Sequence, residues 1–249
     1  VFVGEEHDDP GAHAIEAELL ARAFVRNAGK RPVTLSLEMF ERDVQPVVDE
    51  YLAGLINEKH FLSSSRPWPR YESDYRPMVE FARAHKMPVV AANAPGRYAN
   101  RASRLGRASL EELPASARAW LPPLPFGDPD PAYAAKFNAL MGGHGAGPAA
   151  HGTLHLLDGQ ALWDATMAWS IAEALMRRPG GLVLHVNGGF HSEERLGTPA
   201  HLVRYRPGTR MLVVAIYSGR GFPSFDAAKL GRMGDFVILT DPALKPAKT

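Results

Sequence analysis

The chain has 249 residues, 45% hydrophobic and 22% charged, with a formal net charge of +1 and no cysteine. That composition suits a folded domain with a large core, and the near-zero charge gives no footprint for a nucleic acid or a bare membrane surface. Without cysteine there are no disulfides, no thiolate nucleophile and no thiolate-held zinc or haem, and no apolar run reaches the roughly 20 residues of a membrane span.

The chain opens on Val1-Phe2-Val3, which reads as the end of a buried strand and runs straight into Gly4-Glu5-Glu6-His7. It opens without an initiator Met, so a native N-terminus carrying a signal or anchor segment is expected to precede it. Asp8-Asp9-Pro10 then reads as a helix start, with a carboxylate cap and proline at the first helical position. The helix is expected to bury Ile15, Leu19, Ala23 and Phe24 and to end at Ala28-Gly29. A second strand spans Val33 to Leu37 and ends at Glu38. A second helix carries Val44, Val47, Val48, Tyr51, Leu52 and Leu55, and an irregular aromatic stretch follows from Phe61 to Tyr75. A third helix runs to about His85, and a third strand, Pro88 to Ala92, ends at Asn93.

The middle, 95 to 157, reads as a helical insertion with a proline-dense loop at Leu121 to Pro131. A helix from Ala132 to Met141 gives way to a glycine-rich break that holds His144, with His151 and His155 beyond it. No strand precedes these glycines, so they are not a dinucleotide loop. A long helix from Asp158 to Arg178 carries the small residues Ala161, Ala165, Ala168 and Ala172 on one side. The fourth strand, Leu182 to Val186, leads into Asn187-Gly188-Gly189-Phe190-His191. A short helix follows Thr198-Pro199, and two further strands lie at Met211 to Tyr217 and Phe236 to Leu239. Apolar strands alternating with amphipathic helices predict an α/β fold: a mostly parallel sheet with helices on both faces, one domain over 1–249.

In open α/β sheets ligands sit beyond the C-terminal ends of the strands. Here those ends carry Glu6 and His7, Glu38, Asn93, and Asn187 with His191. His7, Glu38 and His191 could hold a divalent metal, and with Glu6 they could serve as acid and base on a polarised water. Asp164 reads as a structural aspartate near Arg97 and Arg101, His185 as a core histidine, and Asp8 and Asp9 as caps. No nucleophile elbow, P-loop or HExxH zinc motif is present.

Several of these stretches together resemble the ChaN family of bacterial haem-binding, iron-regulated lipoproteins. They are Gly4-Glu5-Glu6-His7, Ser36-Leu37-Glu38-Met39-Phe40, Arg66-Pro67-Trp68 with Asp74-Tyr75-Arg76-Pro77, Ala91-Ala92-Asn93-Ala94-Pro95, Leu162-Trp163-Asp164-Ala165-Thr166-Met167-Ala168 and Asn187-Gly188-Gly189-Phe190-His191. More distantly the chain is similar to the erythromycin esterase, TraB and Tiki group, some of whose members are metal-dependent hydrolases. The resemblance implies a non-enzymatic, haem-binding protein of the cell envelope that serves iron acquisition. It further implies a lipid anchor outside this sequence, haem-transport partner proteins, and a homodimer formed on haem. The alternative is a metal-dependent protease or esterase using the strand-end residues.

Family haem sites are associated with tyrosine, which makes Tyr133 the first expected ligand, Tyr71 and Tyr75 the second, and His144, His151 and His155 the loop alternatives. A haem surface is expected on the insertion, from Trp120, Leu121, Leu124, Phe126 and Phe137, with Lys136 and Arg118 for the propionates.

Overall fold

The computed structural model describes residues 1–143, 155–219 and 221–244. In chain order the elements are β1 (Phe2–Glu5), α1 (Pro10–Asn27), β2 (Val33–Glu41), α2 (Gln45–Leu52), α3 (Glu58–Ser65), α4 (Tyr71–Asp74), α5 (Arg76–Ala84) and β3 (Val89–Asn93). Next come α6 (Gly96–Leu105), α7 (Ala115–Arg118), α8 (Pro131–Gly143), α9 (Leu156–Arg177), β4 (Leu182–Gly188), α10 (Thr198–Tyr205), β5 (Val213–Ser218), α11 (Ala227–Leu230) and β6 (Phe236–Thr240).

The six strands form one sheet in the order β3-β2-β4-β1-β5-β6, and every pair is parallel. The chain builds β1, β2 and β3 outward and then returns to slot β4 between β2 and β1. That return puts the C-terminal ends of β2, β4 and β1 side by side, with Val3 level with Val186 and Leu37 level with Val186 on the other side. β2 runs past Leu37 to Glu41 through a register shift against β3, so Glu38 lies within the strand and not after it.

Alternate strand residues face opposite layers, as the period of two requires. Val3, Leu184, Val186, Val214 and Ile216 pack with Leu20 of α1, Val48 and Tyr51 of α2, and Met78 and Val79 of α5. Phe2, Val183 and Val213 pack with Ala168, Ile171 and Ala172 of α9 and Leu202 of α10. Each such buried side chain contributes on the order of 1.5–3 kcal/mol. The alanine side of α9 is fully buried, and Gly159 lets α6 come close: a Cβ there would lie 3.0 Å from the Ala99 carbonyl oxygen.

Several expectations change. Part of the aromatic stretch 61–75 is helical, because Asn57 caps α3 by accepting the His60 N–H. The deepest stripe of α1 is Ala12, His13, Glu16 and Leu20, while Ile15, Leu19, Ala23 and Phe24 are half-buried. Leu121 and Phe126 do not form an open apolar face. They are buried against Ala161, Leu162 and Ala165, with Leu124 packed alongside. His144 and His151 lie outside the described residues. Among the described residues no helix is long and apolar enough to cross a membrane.

Candidate functional site

A buried polar chain runs along the C-terminal ends of β2, β4 and β1. It begins at His191, in the turn after β4, which is buried with both ring nitrogens facing carboxylates. Nδ1 lies 2.9 Å from Asp164 Oδ1 and Nε2 lies 3.4 Å from Glu38 Oε1. Burial alone would discharge this imidazole, but Glu38 and Asp164 raise its pKa well above the ordinary histidine value. Burial likewise works against the Glu38 charge, yet His191, His7 and the Gly188 N–H together bring its pKa down to about 2. That N–H donates to Glu38 Oε2 at 2.7 Å. Both ring nitrogens of His191 are therefore committed to carboxylates, and neither is left free.

Asp164 is the hub of this end. Besides His191 it accepts from Thr198 Oγ1 at 2.8 Å and from the Tyr133 hydroxyl, to which Gln160 also donates at 3.2 Å. Gly197 is required by the crowding, since a Cβ there would meet Asp164 Oδ1 at 2.6 Å. The expected Arg97 and Arg101 partners are elsewhere: Arg97 pairs with Asp43, and Arg101 with Glu112 and the Ser109 carbonyl.

Tyr133 is consequently not an exposed donor. It is 1% exposed, and burial together with the Asp164 charge pushes its phenol far above its ordinary pKa, which opposes the phenolate an iron ligand needs. Tyr71 and Tyr75 are buried too, and Tyr75 donates to Glu5 Oε1 at 3.0 Å. At Tyr133 the insertion is therefore a packed and not an open face. Its helix α8 closes over the strand ends, where Tyr133 and Phe137 pack on Phe190. Lys136 pairs with Glu193 and lies 4.8 Å above the Phe190 ring.

His7 stands on the other side of Glu38. Its side chain is 45% exposed, its Nδ1 lies 2.7 Å from Glu5 Oε1, and its ring meets Trp68 edge to face at 4.9 Å. With Nδ1 held by Glu5, Nε2 is the ring nitrogen that remains for a ligand, and it lies over Gly188. Although burial works against the charged ring, the Glu5 hydrogen bond and the Glu38 charge raise its pKa above the usual value. Gly188 makes room for this ring, because a Cβ there would sit 2.8 Å from His7 Nε2.

Behind Glu5 the chain continues inward. Glu5 Oε2 lies 3.1 Å from His13 Nδ1, and Glu16 Oε2 lies 3.2 Å from the same nitrogen. His13 Nε2 faces the His7 carbonyl at 3.4 Å and Asp74 Oδ2 at 3.5 Å. Arg70 reaches both Asp74 and the His7 carbonyl.

The structure therefore brings His7, Glu38 and His191 together as the sequence suggested, but it exchanges Glu6 for Glu5. Glu6 turns to the other side of β1 and accepts the Ser218 N–H at 3.0 Å. Asn93 caps its own turn through the Ala94 N–H, and Asn187 holds Ser192 Oγ and the Gly188 carbonyl. His185 is a core residue as read, bonded to Ser36 and kept neutral by burial, with a pKa near 3. His155 precedes α9, half-exposed, 3.4 Å from Asp158 and beside Gly106. A cavity of about 520 Å³ opens at the opposite edge of the sheet, beside Arg31 and Arg206, and holds none of this chemistry except His185.

Sequence reasoning missed Glu5, His13, Glu16 and the hub role of Asp164. The spacing His13-x-x-Glu16, in step with Ala12 and Leu20, was the available signal.

Comparison with known proteins follows the same outline. The profile of the family described as "Haem-binding uptake, Tiki superfamily, ChaN" matches residues 1–202. The solved structure described as cofacial haem binding to ChaN of Campylobacter jejuni superposes with a TM-score of 0.63 at 16% identity, covering 95% of this chain and 85% of that one. A mutant of the erythromycin esterase EreC in its open conformation gives a TM-score of 0.49 at 10% identity, covering 87% and 70%. A type III effector gives 0.49 at 13%, covering 96% and 86%. No curated protein sequence matches.

Proposed function

The chain belongs to the ChaN family of haem-binding uptake proteins, and on that premise we propose that it binds haem in the service of iron or haem acquisition at the bacterial cell envelope. The observation that carries the placement is the Glu5–His7 pair. A histidine that ligates a metal commonly donates its other ring N–H to a carboxylate, which fixes the tautomer and raises the basicity of the ligating nitrogen. Glu5 sits 2.7 Å from His7 Nδ1, and Tyr75 steadies the same carboxylate oxygen. His7 Nε2 is then the axial donor to haem iron.

The surroundings suit the rest of the ligand. The Trp68 ring beside His7 offers an aromatic face for the porphyrin. Arg66 and Arg70 flank Trp68 in sequence with partly exposed guanidinium groups, which fits them to propionates. The His7 side chain is 45% exposed, so a haem bound through it keeps one face in water. A second copy carrying its own haem would cover that face, and the stacking of two haems would tie haem loading to dimerisation. This reading replaces Tyr133 with His7 and keeps half-exposed His155 as the runner-up among the described residues.

The experiment is a haemin titration followed by absorption and by sedimentation. The wild type is expected to give one haem per chain, a shifted Soret band and a dimer. His7→Ala is expected to lose the band shift, and His155→Ala to keep it. Retention of the wild-type spectrum by His7→Ala would remove the assignment.

A second reading, a metal-dependent hydrolase, is favoured by the same dyad. A carboxylate-backed imidazole with a free nitrogen, next to the Glu38–His191 pair, is the geometry of a general base. In that reading Glu5, not Glu6, orients His7. Ester or peptide hydrolysis by the haem-free protein, abolished by His7→Ala, would support it.

A further inference from the structure

Beneath His7 lies a second constellation, which shares Glu5 with the proposed haem site and adds His13 and Glu16. Among the described residues, the group of histidine and carboxylate side chains that can each offer one donor atom within 4.8 Å of the others is Glu5, His13 and Glu16. We propose that these three residues form a buried site for a divalent first-row transition-metal ion.

The first support is distance. Such an ion takes imidazole nitrogen and carboxylate oxygen at about 2.0–2.2 Å. Donors at that radius, separated by tetrahedral or octahedral angles, lie about 2.8–3.6 Å from one another. His13 Nδ1 stands 3.1 Å from Glu5 Oε2 and 3.2 Å from Glu16 Oε2.

The second is the state of the carboxylates. Glu5 is 3% exposed and Glu16 is 0% exposed, yet Glu16 Oε1 has no hydrogen-bond partner and Glu5 Oε2 has only the His13 imidazole, 3.1 Å away. Unpaired carboxylate oxygens in a core are costly, and their ordinary resolution is pairing or metal coordination. Glu5 divides its oxygens accordingly: Tyr75 and His7 hold Oε1 from outside, and Oε2 is left facing His13.

The third is the orientation of His13. Its Nε2 faces the His7 carbonyl at 3.4 Å and Asp74 at 3.5 Å, while Nδ1 faces inward to the two glutamates. A carboxylate or carbonyl behind the ring is the arrangement that aims the opposite nitrogen at a metal. Asp74 is itself matched by Arg70, so its charge is not part of the site's balance.

Charge then selects the ion. Two carboxylates and a neutral imidazole carry two negative charges, which one divalent cation neutralises. One nitrogen and two oxygens, with no cysteine anywhere in the chain, suit Zn²⁺, Fe²⁺ or Mn²⁺ better than Cu⁺. An ion held here would fix Glu5, and through it the ring of His7 at the mouth.

The test uses the haem-free, chelator-treated chain, titrated with Zn²⁺ by calorimetry and with Co²⁺ by visible absorption. The wild type is expected to bind one equivalent of either ion, with d–d bands for Co²⁺ and a raised melting temperature. Glu16→Gln keeps the shape of the side chain and is expected to weaken binding at least tenfold. His13→Gln serves the same purpose should Glu16→Gln fail to fold. His191→Ala, which touches only the other end of the polar chain, is expected to keep the full equivalent. Absence of binding by the wild type overturns the proposal. So does binding that is equally tight in Glu16→Gln, or binding lost in His191→Ala and kept in Glu16→Gln. Haem is titrated separately, so a failure of metal binding and a failure of haem binding are told apart.

Discussion

Replacing Asp164 with alanine perturbs the site through a single residue. The carboxylate is fully buried and accepts from three side chains: His191 Nδ1 at 2.9 Å, Thr198 Oγ1 at 2.8 Å and the Tyr133 hydroxyl. Hydrogen bonds to a charged group contribute on the order of 1.5–3 kcal/mol each, so the sum of the three is several kcal/mol. Part returns when the freed groups relax, since Gln160 still reaches Tyr133 and Glu38 still faces His191. The expected loss is therefore about 4 kcal/mol, in the range for breaking a buried ion pair. Asp164→Asn keeps an acceptor oxygen for His191 and Thr198 but removes the charge, and about 2 kcal/mol is expected for it. Urea unfolding at pH 7, followed by far-UV circular dichroism, measures both. A loss below about 1 kcal/mol for Asp164→Ala would refute the claim that this carboxylate holds the strand-end residues and α8 together.

Other outcomes follow from the same geometry. The folded pKa of Glu38, near 2, is depressed below its unfolded value of 4.5, so its stabilisation is complete above pH 4.5 and is lost as pH falls toward 2. Urea midpoints measured between pH 5 and 3 should fall in the wild type and fall less steeply in Glu38→Gln. Tyr133→Phe should leave the haem absorption spectrum unchanged, while lowering stability by about 1–2 kcal/mol through the acceptor it leaves unfilled on Asp164. Gly188→Ala should weaken haem binding about as much as His7→Ala, because its Cβ would sit 2.8 Å from His7 Nε2 and drive the ring from its place. A haemin titration that finds Gly188→Ala equal to wild type would show that the ring has room to spare.

The strands were legible because strands in a parallel sheet read as short runs rich in apolar residues, and Val33 to Leu37, broken only by Thr34 and Ser36, and Leu182 to Val186, broken only by His185, are such runs. His7, Glu38 and His191 were legible as one site because the strand-end rule needs only the order of elements, not their partners. The choice between Glu5 and Glu6 was not legible. It depends on strand parity, which is fixed only once Glu5 pairs with Gly188. His13 and Glu16 were missed because polar residues on a helix read as its solvent side, whereas here they are buried and answer one another and Glu5. The burial of Tyr133 was not legible for a related reason. Periodicity in α8 does not reveal that the helix folds back over Phe190 and delivers its phenol to Asp164, 31 residues further along.

The most direct measurement is the position of iron in crystals of the haemin complex, located by its anomalous scattering. The account predicts one iron per chain within coordinating distance of His7 Nε2, with the porphyrin beside Trp68 and Glu5 still bonded to His7 Nδ1. Iron ligated from the 96–143 insertion, or at a site with no contact to His7, would contradict it.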